Sequence, residues 1–205
     1  YFYKTIKFYD FDELGKYYHL FGFGQATGVD IQGESKGVVP DKEYMNNRYG
    51  KFGWSKGALL NYCIGQGEIL VTPMQAFNYV NLLATRGRSH KPHFLKEKFS
   101  DHIDTLELED KVWDNIIHDM NEVITGEKGT GKAADPMHPN AKVFGKTGTA
   151  ENPHGDNHAW FVGWMEYNLH KYSIIILLEN GGSGGTMAAP IAKTIFNSII
   201  SKKSI

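Results

Sequence analysis

Two hydrophobic periods divide the chain. Between Asp110 and Gly126, the residues Trp113, Ile116, Ile117, Met120, Val123 and Ile124 recur at steps of one, three and four, which predicts an amphipathic helix ended by the glycine. Beyond it the period shortens to two. "KVFGKTGT", "HAWFVGWMEY" and "YSIIILLE" predict three successive strands, the last two close enough in sequence to form a hairpin. The helical period then returns. Pro190 opens a helix expected to turn Ile191, Ile195, Phe196, Ile199 and Ile200 inward, with Lys202 and Lys203 favouring its C-terminal dipole.

Upstream, local signals punctuate the chain. "YFYKTIKFYDFDELGKYYHLFGFG" predicts one or two helices, with Asp10 and Glu13 at capping-box spacing and Gly22 as a stop. Residues from Gly24 to Asn47 are those of turns and loops. Thr72, Pro73 and Gln75 mark a helix start, Ala76, Phe77, Val80, Leu83 and Ala84 continue it, and Gly87 closes it. "RSHKPHFLKEKF" has room for a short strand. Helices first, then an antiparallel sheet flanked by them, then one covering helix: the order predicts an α+β fold. Its helical part covers about residues 1–135, and the sheet with its covering helix about residues 136–205.

Composition narrows the function classes. At 205 residues the chain suits one domain or most of one. A formal net charge of −1, with no Lys/Arg run longer than a pair, argues against a nucleic-acid partner. Cys63 stands alone, so no internal disulfide can form. The longest strongly apolar run, "SIIILL", falls well short of the roughly 18 residues of a membrane helix. The chain opens on Tyr1 without a signal sequence, and we read it as a piece of a longer protein.

Three glycine- or histidine-rich stretches invite other chemistry. "GEKGTGKA" places Gly126, Gly131 and Lys132 as a phosphate-binding loop would, but Ala133 lacks the magnesium-binding hydroxyl, and a helix rather than a strand precedes it. For the later "GKT" the first required glycine falls on Asn140. A nucleotide-binding module is therefore a weak alternative. "GGSGG" puts Ser183 on a strand-to-helix turn, the place of an esterase nucleophile, yet no Asp, Glu or His follows it to complete a triad in that order. His154, Asp156 and His158, and the pair His90 and His93, lack the partners and spacing of a strong metal site. Neither a metal nor another cofactor is expected.

"KTGT" carries more. On a strand at the edge of a cleft, Thr147 and Thr149 share one face while Lys146 and Gly148 share the other. Two hydroxyls on one face can donate to a carboxylate, Lys146 adds a favourable charge, and Gly148 leaves room for a close neighbour. A backbone N–H of such a strand can stabilise a developing oxyanion. Standing alone, these residues would read as an ordinary polar edge strand.

They do not stand alone. "FGFGQATGVDIQGE", "IGQGEILVTPMQ", "GTGKAA", "GKTGTAE", "HAWFVGW" and "ENGGSGGTMAAPIA" occur in the order found in the transpeptidase domain of class B penicillin-binding proteins. The chain resembles that family, most closely its elongation, or penicillin-binding protein 2, type. The resemblance implies a peptidoglycan D,D-transpeptidase: a serine attacks a D-Ala-D-Ala peptide, releases D-alanine and passes the acyl group to an amine. β-Lactams acylate the same serine. It also implies that Thr147, Gly148 and Thr149 bind the substrate, with Thr147 and Thr149 gripping the donor carboxylate, that Lys146 supports the serine network, and that the Thr149 backbone N–H serves the oxyanion. Expected partners are stem peptides, β-lactams and the cell-wall elongation machinery. The expected location is the periplasmic face of the bacterial inner membrane.

The chain departs from the family in one respect: it contains no S-x-x-K and no S-x-N or S-x-D. Its nucleophile must then come from outside these residues, and the chain alone is expected to be inactive. With the upstream strands missing, "YSIIILLE" would form an apolar edge that recruits a second copy or the missing part.

Overall fold

A computed structural model describes residues 2–98 and 103–203. Tyr1 and Phe99, which fall in predicted segments, lie outside the described residues. The chain forms two compact units, one of Tyr1–Asn78 with His90–Ile103 and one of Tyr79–Ser89 with Asp104–Ile205.

The first unit begins with α1 (Phe2–Thr5), a 3-10 turn and α2 (Phe11–Leu20). The expected capping box is present: the Glu13 amide donates to Asp10 Oδ1 at 3.0 Å, and the Asp10 amide donates to Glu13 Oε2 at 3.1 Å. After α2 the chain turns at Gly22, whose φ of 89° is strained for a residue with a Cβ. Two helices follow where no period marked them in the sequence, α3 (Lys42–Tyr49) and α4 (Lys56–Tyr62). The last residues of the predicted loop, from Lys42 on, are thus helical, because the Asp41 carboxylate accepts the Tyr44 amide at 2.7 Å and starts the turn. Met45, Leu59, Ile69 and Phe11 form the core with Tyr62, whose ring lies 5.0 Å from both Phe11 and Tyr18. Burial pushes the Tyr62 phenol well above its ordinary pKa.

The long loop before α3 is closed by Glu34. Its carboxylate accepts the Thr27 hydroxyl at 2.6 Å and the Thr27 and Gly28 amides at 2.9 and 3.0 Å. At the start of α5 (Pro73–Ala84), Thr72 and Gln75 exchange the two bonds of a second capping box. Gln75 is buried, and its amide donates to the Gln25 and Lys36 carbonyls at 2.8 Å each. One glutamine thereby caps a helix and ties down a loop. α5 runs across the boundary into the second unit.

There the chain turns at Gly87, with φ of 84°. β1 (Arg88–His90) and β2 (Ile103–Thr105) make a two-stranded sheet, and α6 (Asp110–Thr125) follows with Trp113, Met120 and Ile124 buried on the predicted stripe. The main sheet has the order β3-β4-β5, antiparallel throughout: β3 (Ala141–Ala150), β4 (His158–Tyr167) and β5 (His170–Leu178). The hairpin between the last two turns on Asn168 and Leu169, both at positive φ (48° and 64°), as a two-residue type I′ turn requires. α7 (Ala189–Lys203) covers one face of the sheet; with Ala188 of the π turn before it, its Ala189, Ala192, Phe196 and Ile200 pack against Phe161, Met165 and Ile176.

The covering helix corrects the sequence reading. Ile191 and Ile195 point outward and are 37% and 39% exposed, while the alanines face in. Close approach of helix and sheet demands small side chains at 188, 189 and 192, so the stripe runs through Ala192, Phe196 and Ile200 rather than through its bulkier neighbours.

Candidate functional site

The "KTGT" segment lies in the C-terminal half of β3, whose only partner in the three-stranded sheet is β4. Antiparallel pairing turns the backbone groups of alternate residues toward and away from the partner strand. The Val143 carbonyl accepts from Asn121 Nδ2 of α6 at 2.8 Å, which identifies the odd-numbered residues as those turned to the outer edge. By that alternation the Thr149 N–H points to the same outer edge. Lys146 is exposed, and its Nζ donates to the Thr147 carbonyl at 2.6 Å, so the ammonium is held along that edge.

Thr147 and Thr149 share the face that Val143 presents to the core, as the period of two requires. Their environments differ. Thr149 is exposed, and its hydroxyl accepts the Gly184 amide at 3.4 Å. Thr147 is only 8% exposed, and its Oγ1 lies 2.7 Å from Oγ1 of Thr130. Gly184 rests on the strand beside them: a Cβ there would collide with the backbone oxygens of Gly148 and Trp160. Two anchors therefore hold this strand from the α7 side, a hydroxyl from the turn after α6 and a glycine from the loop after β5.

Two of the other candidate stretches supply these anchors, through Thr130 and Gly184, but neither has the form its own chemistry would need. "GEKGTGKA" forms a turn after α6 and a 3-10 turn at Lys132–Ala134, with Lys132 Nζ donating to the Glu127 carbonyl at 2.5 Å and Ala134 fully buried. Strand, loop and helix do not follow one another there as a phosphate loop requires. Ser183 is exposed on the link from β5 into a wide π turn that leads to α7. His158 Nδ1 accepts the Asn180 amide at 2.9 Å, and His93 Nδ1 lies 2.9 Å from the Leu95 carbonyl oxygen. Among the described residues, no three His, Cys, Asp or Glu side chains gather as a metal site would need.

Sequence reasoning missed Thr130 and Gly184 as neighbours of the "KTGT" strand. Seventeen residues separate Thr130 from Thr147, and no periodic signal connects them. Their place in two of the six matched segments, "GTGKAA" and "ENGGSGGTMAAPIA", was the available hint.

Comparison with known proteins adds the family. The model of the penicillin binding protein transpeptidase domain matches residues 1–197. The chain is 29% identical to peptidoglycan D,D-transpeptidase MrdA of Haemophilus influenzae, across 99% of this chain and 35% of that protein. It is 30% identical to MrdA of Acinetobacter baumannii, across 96% of this chain and 32% of that protein. The chain thus spans about a third of the length of these curated relatives. Among solved structures it is similar to PBP2 of Pseudomonas aeruginosa in complex with WCK 5153, with a TM-score of 0.81 and 30% identity over 97% of this chain and 44% of that one. It is also similar to PBP2 of Helicobacter pylori in complex with MreC, with a TM-score of 0.82 and 30% identity over 97% of this chain and 38% of that one. With helices around an antiparallel sheet and a family match over nearly all its residues, the chain belongs to the penicillin-binding protein transpeptidase family.

Proposed function

We propose that this chain is the C-terminal part of a serine D,D-transpeptidase domain that cross-links peptidoglycan stem peptides and is acylated by β-lactams. The observation that carries this reading is the second half of β3: Lys146 held along the outer edge, Thr147 and Thr149 on one face, and the Thr149 N–H turned outward. These groups make a dock for the carboxylate of a peptide or β-lactam. A serine supplied from outside these residues attacks the carbonyl carbon of the D-Ala-D-Ala bond. The carbonyl oxygen gains charge as the C–O bond forms, and an outward N–H of β3 stabilises it. The C–N bond then breaks, D-alanine leaves with a proton, and an amine displaces the serine from the acyl group. Lys146 contributes positive charge near the serine and the bound carboxylate.

The Haemophilus and Acinetobacter relatives are named for this activity, and the Helicobacter PBP2 was solved with MreC. The same reading puts the whole protein at the periplasmic face of the inner membrane, among the cell-wall elongation proteins. No described helix of this chain is long and apolar enough to cross a membrane.

Fluorescent penicillin tests the proposal. A longer protein carrying this chain should form one covalent adduct, and mass spectrometry should find it outside these 205 residues. A penicilloyl group on the 205-residue chain itself, or no adduct on the longer protein, refutes the assignment.

A further inference from the structure

We infer that Thr130 is a positioning residue for the transpeptidase site, acting through the hydroxyl of Thr147; the inference rests on the functional reading above. Thr147 has the more constrained of the two hydroxyls on the dock face. It is nearly buried, and Thr130 Oγ1 lies 2.7 Å away, within the range of a good O–H···O bond. A threonine hydroxyl carries one proton and two acceptor sites. If Thr147 gave its proton to Thr130, it would have none for a ligand carboxylate. With Thr130 as donor, the Thr147 proton is released for that carboxylate and the Thr147 oxygen is fixed in place. An anion at the dock favours this second arrangement, because the chain Thr130–Thr147–carboxylate then runs donor to acceptor throughout.

Thr130 is itself held by its turn. The Gly129 amide donates to the Gly126 carbonyl at 3.0 Å, and the Gly131 amide donates to the Val123 carbonyl at 2.9 Å. Glycine is required at 129, where a Cβ would overlap the Val123 carbonyl, and the fit is close at 131, where a Cβ would fall 2.9 Å from Ile124 Cδ1. On the far side, the Thr130 carbonyl oxygen lies 2.7 Å from where a Cβ of Gly185 would be. Helix α6, the turn and the post-β5 loop thus fix one exposed hydroxyl against one buried one. An isolated capping or solvent-facing threonine would need no such enclosure.

The test is a double-mutant cycle in the longer protein that carries this chain, read as the second-order rate of acylation by a penicillin. Thr130→Val should lower that rate about tenfold, the factor expected from one lost hydrogen bond. Thr130→Ser, which keeps the hydroxyl, should restore it. Thr147→Val should lower the rate at least as much, and the double variant should be no slower than Thr147→Val alone. Melting temperatures establish that each variant is folded, and Thr130→Ala replaces the valine in the cycle if that variant does not fold. Multiplying losses in the double variant, or an unchanged rate in Thr130→Val, overturns the inference. A parent protein that penicillin does not acylate at all overturns the functional reading instead.

Discussion

Replacing Gly184 with alanine tests how firmly the loop after β5 supports the "KTGT" strand. Gly184 does not occupy the left-handed region, so the substitution adds a methyl group without forcing the backbone. That methyl would meet the carbonyl oxygens of Gly148 and Trp160 inside van der Waals contact, and the Gly148 nitrogen at 2.9 Å. All three are backbone atoms of paired strands, and none can rotate away as a side-chain tip could. Overpacking of this kind costs about 1–3 kcal/mol. The smaller conformational freedom of alanine in the unfolded chain returns about 0.4–1 kcal/mol. The steric term is the larger, and a net loss of about 1–2 kcal/mol remains. For a domain of this size that is a fall in Tm of about 2–8 °C. Because relief requires β3 or the loop to move, penicillin acylation should slow as well. Ser183→Ala, one residue earlier and exposed, is the control and should leave both quantities unchanged. A Gly184→Ala protein that melts and acylates like its parent would show that the loop does not bear on Gly148.

Further outcomes follow from other parts of the molecule. Lys146→Ala should lower the acylation rate about tenfold or more while leaving Tm unchanged, since charge-assisted hydrogen bonds are worth about 1.5–3 kcal/mol and the side chain is exposed; stopped-flow acylation with an unchanged rate removes Lys146 from the site. Burial opposes ionisation of Glu34, but the Thr27 hydroxyl and the Thr27 and Gly28 amides outweigh it and hold the carboxyl below its usual range. Its lowered folded pKa stabilises the protein above the ordinary glutamate pKa of about 4.3, and that contribution disappears as pH falls through the folded value. Denaturant midpoints of the parent should therefore fall more steeply below about pH 5 than those of Glu34→Gln, and parallel curves would refute the assignment. The isolated 205-residue chain should associate as its concentration rises, through the apolar edge of β5, and a sedimentation profile that stays monomeric argues against this.

Local signals made much of the fold legible. Both capping boxes, at Asp10 with Glu13 and at Thr72 with Gln75, stand where their spacing placed them. So do the three long strands and the hairpin. Local reasoning failed where helices are short and polar. In "KEYMNNRY" only Met45 is buried, so α3 has no stripe to read and depends on its Asp41 cap and on core contacts from distant residues. Hydrophobicity also misled in α7, where the tight fit against the sheet selected alanine over isoleucine for the inner face. At the site, the alternation of Thr147 and Thr149 with Lys146 could be read from the strand period. The enclosure of Thr147 by Thr130 could not, because it is made by chain segments that meet only in the folded protein.

The pairing of β3 with β4 has a consequence for how the chain finds its alignment. Gly145 sits where a Cβ would lie 2.5 Å from the Phe161 ring, and a Cβ at Gly163 would overlap the Phe144 carbonyl. Sliding one strand by a single residue would turn its buried aromatics to the opposite side of the sheet. Sliding by two keeps the sides but drives Phe161 onto a valine or a threonine in place of the glycine notch. The first shift is penalised by lost burial and the second by steric exclusion, so the glycines work as a key that helps admit the one pairing in which Lys146, Thr147 and Thr149 reach their places.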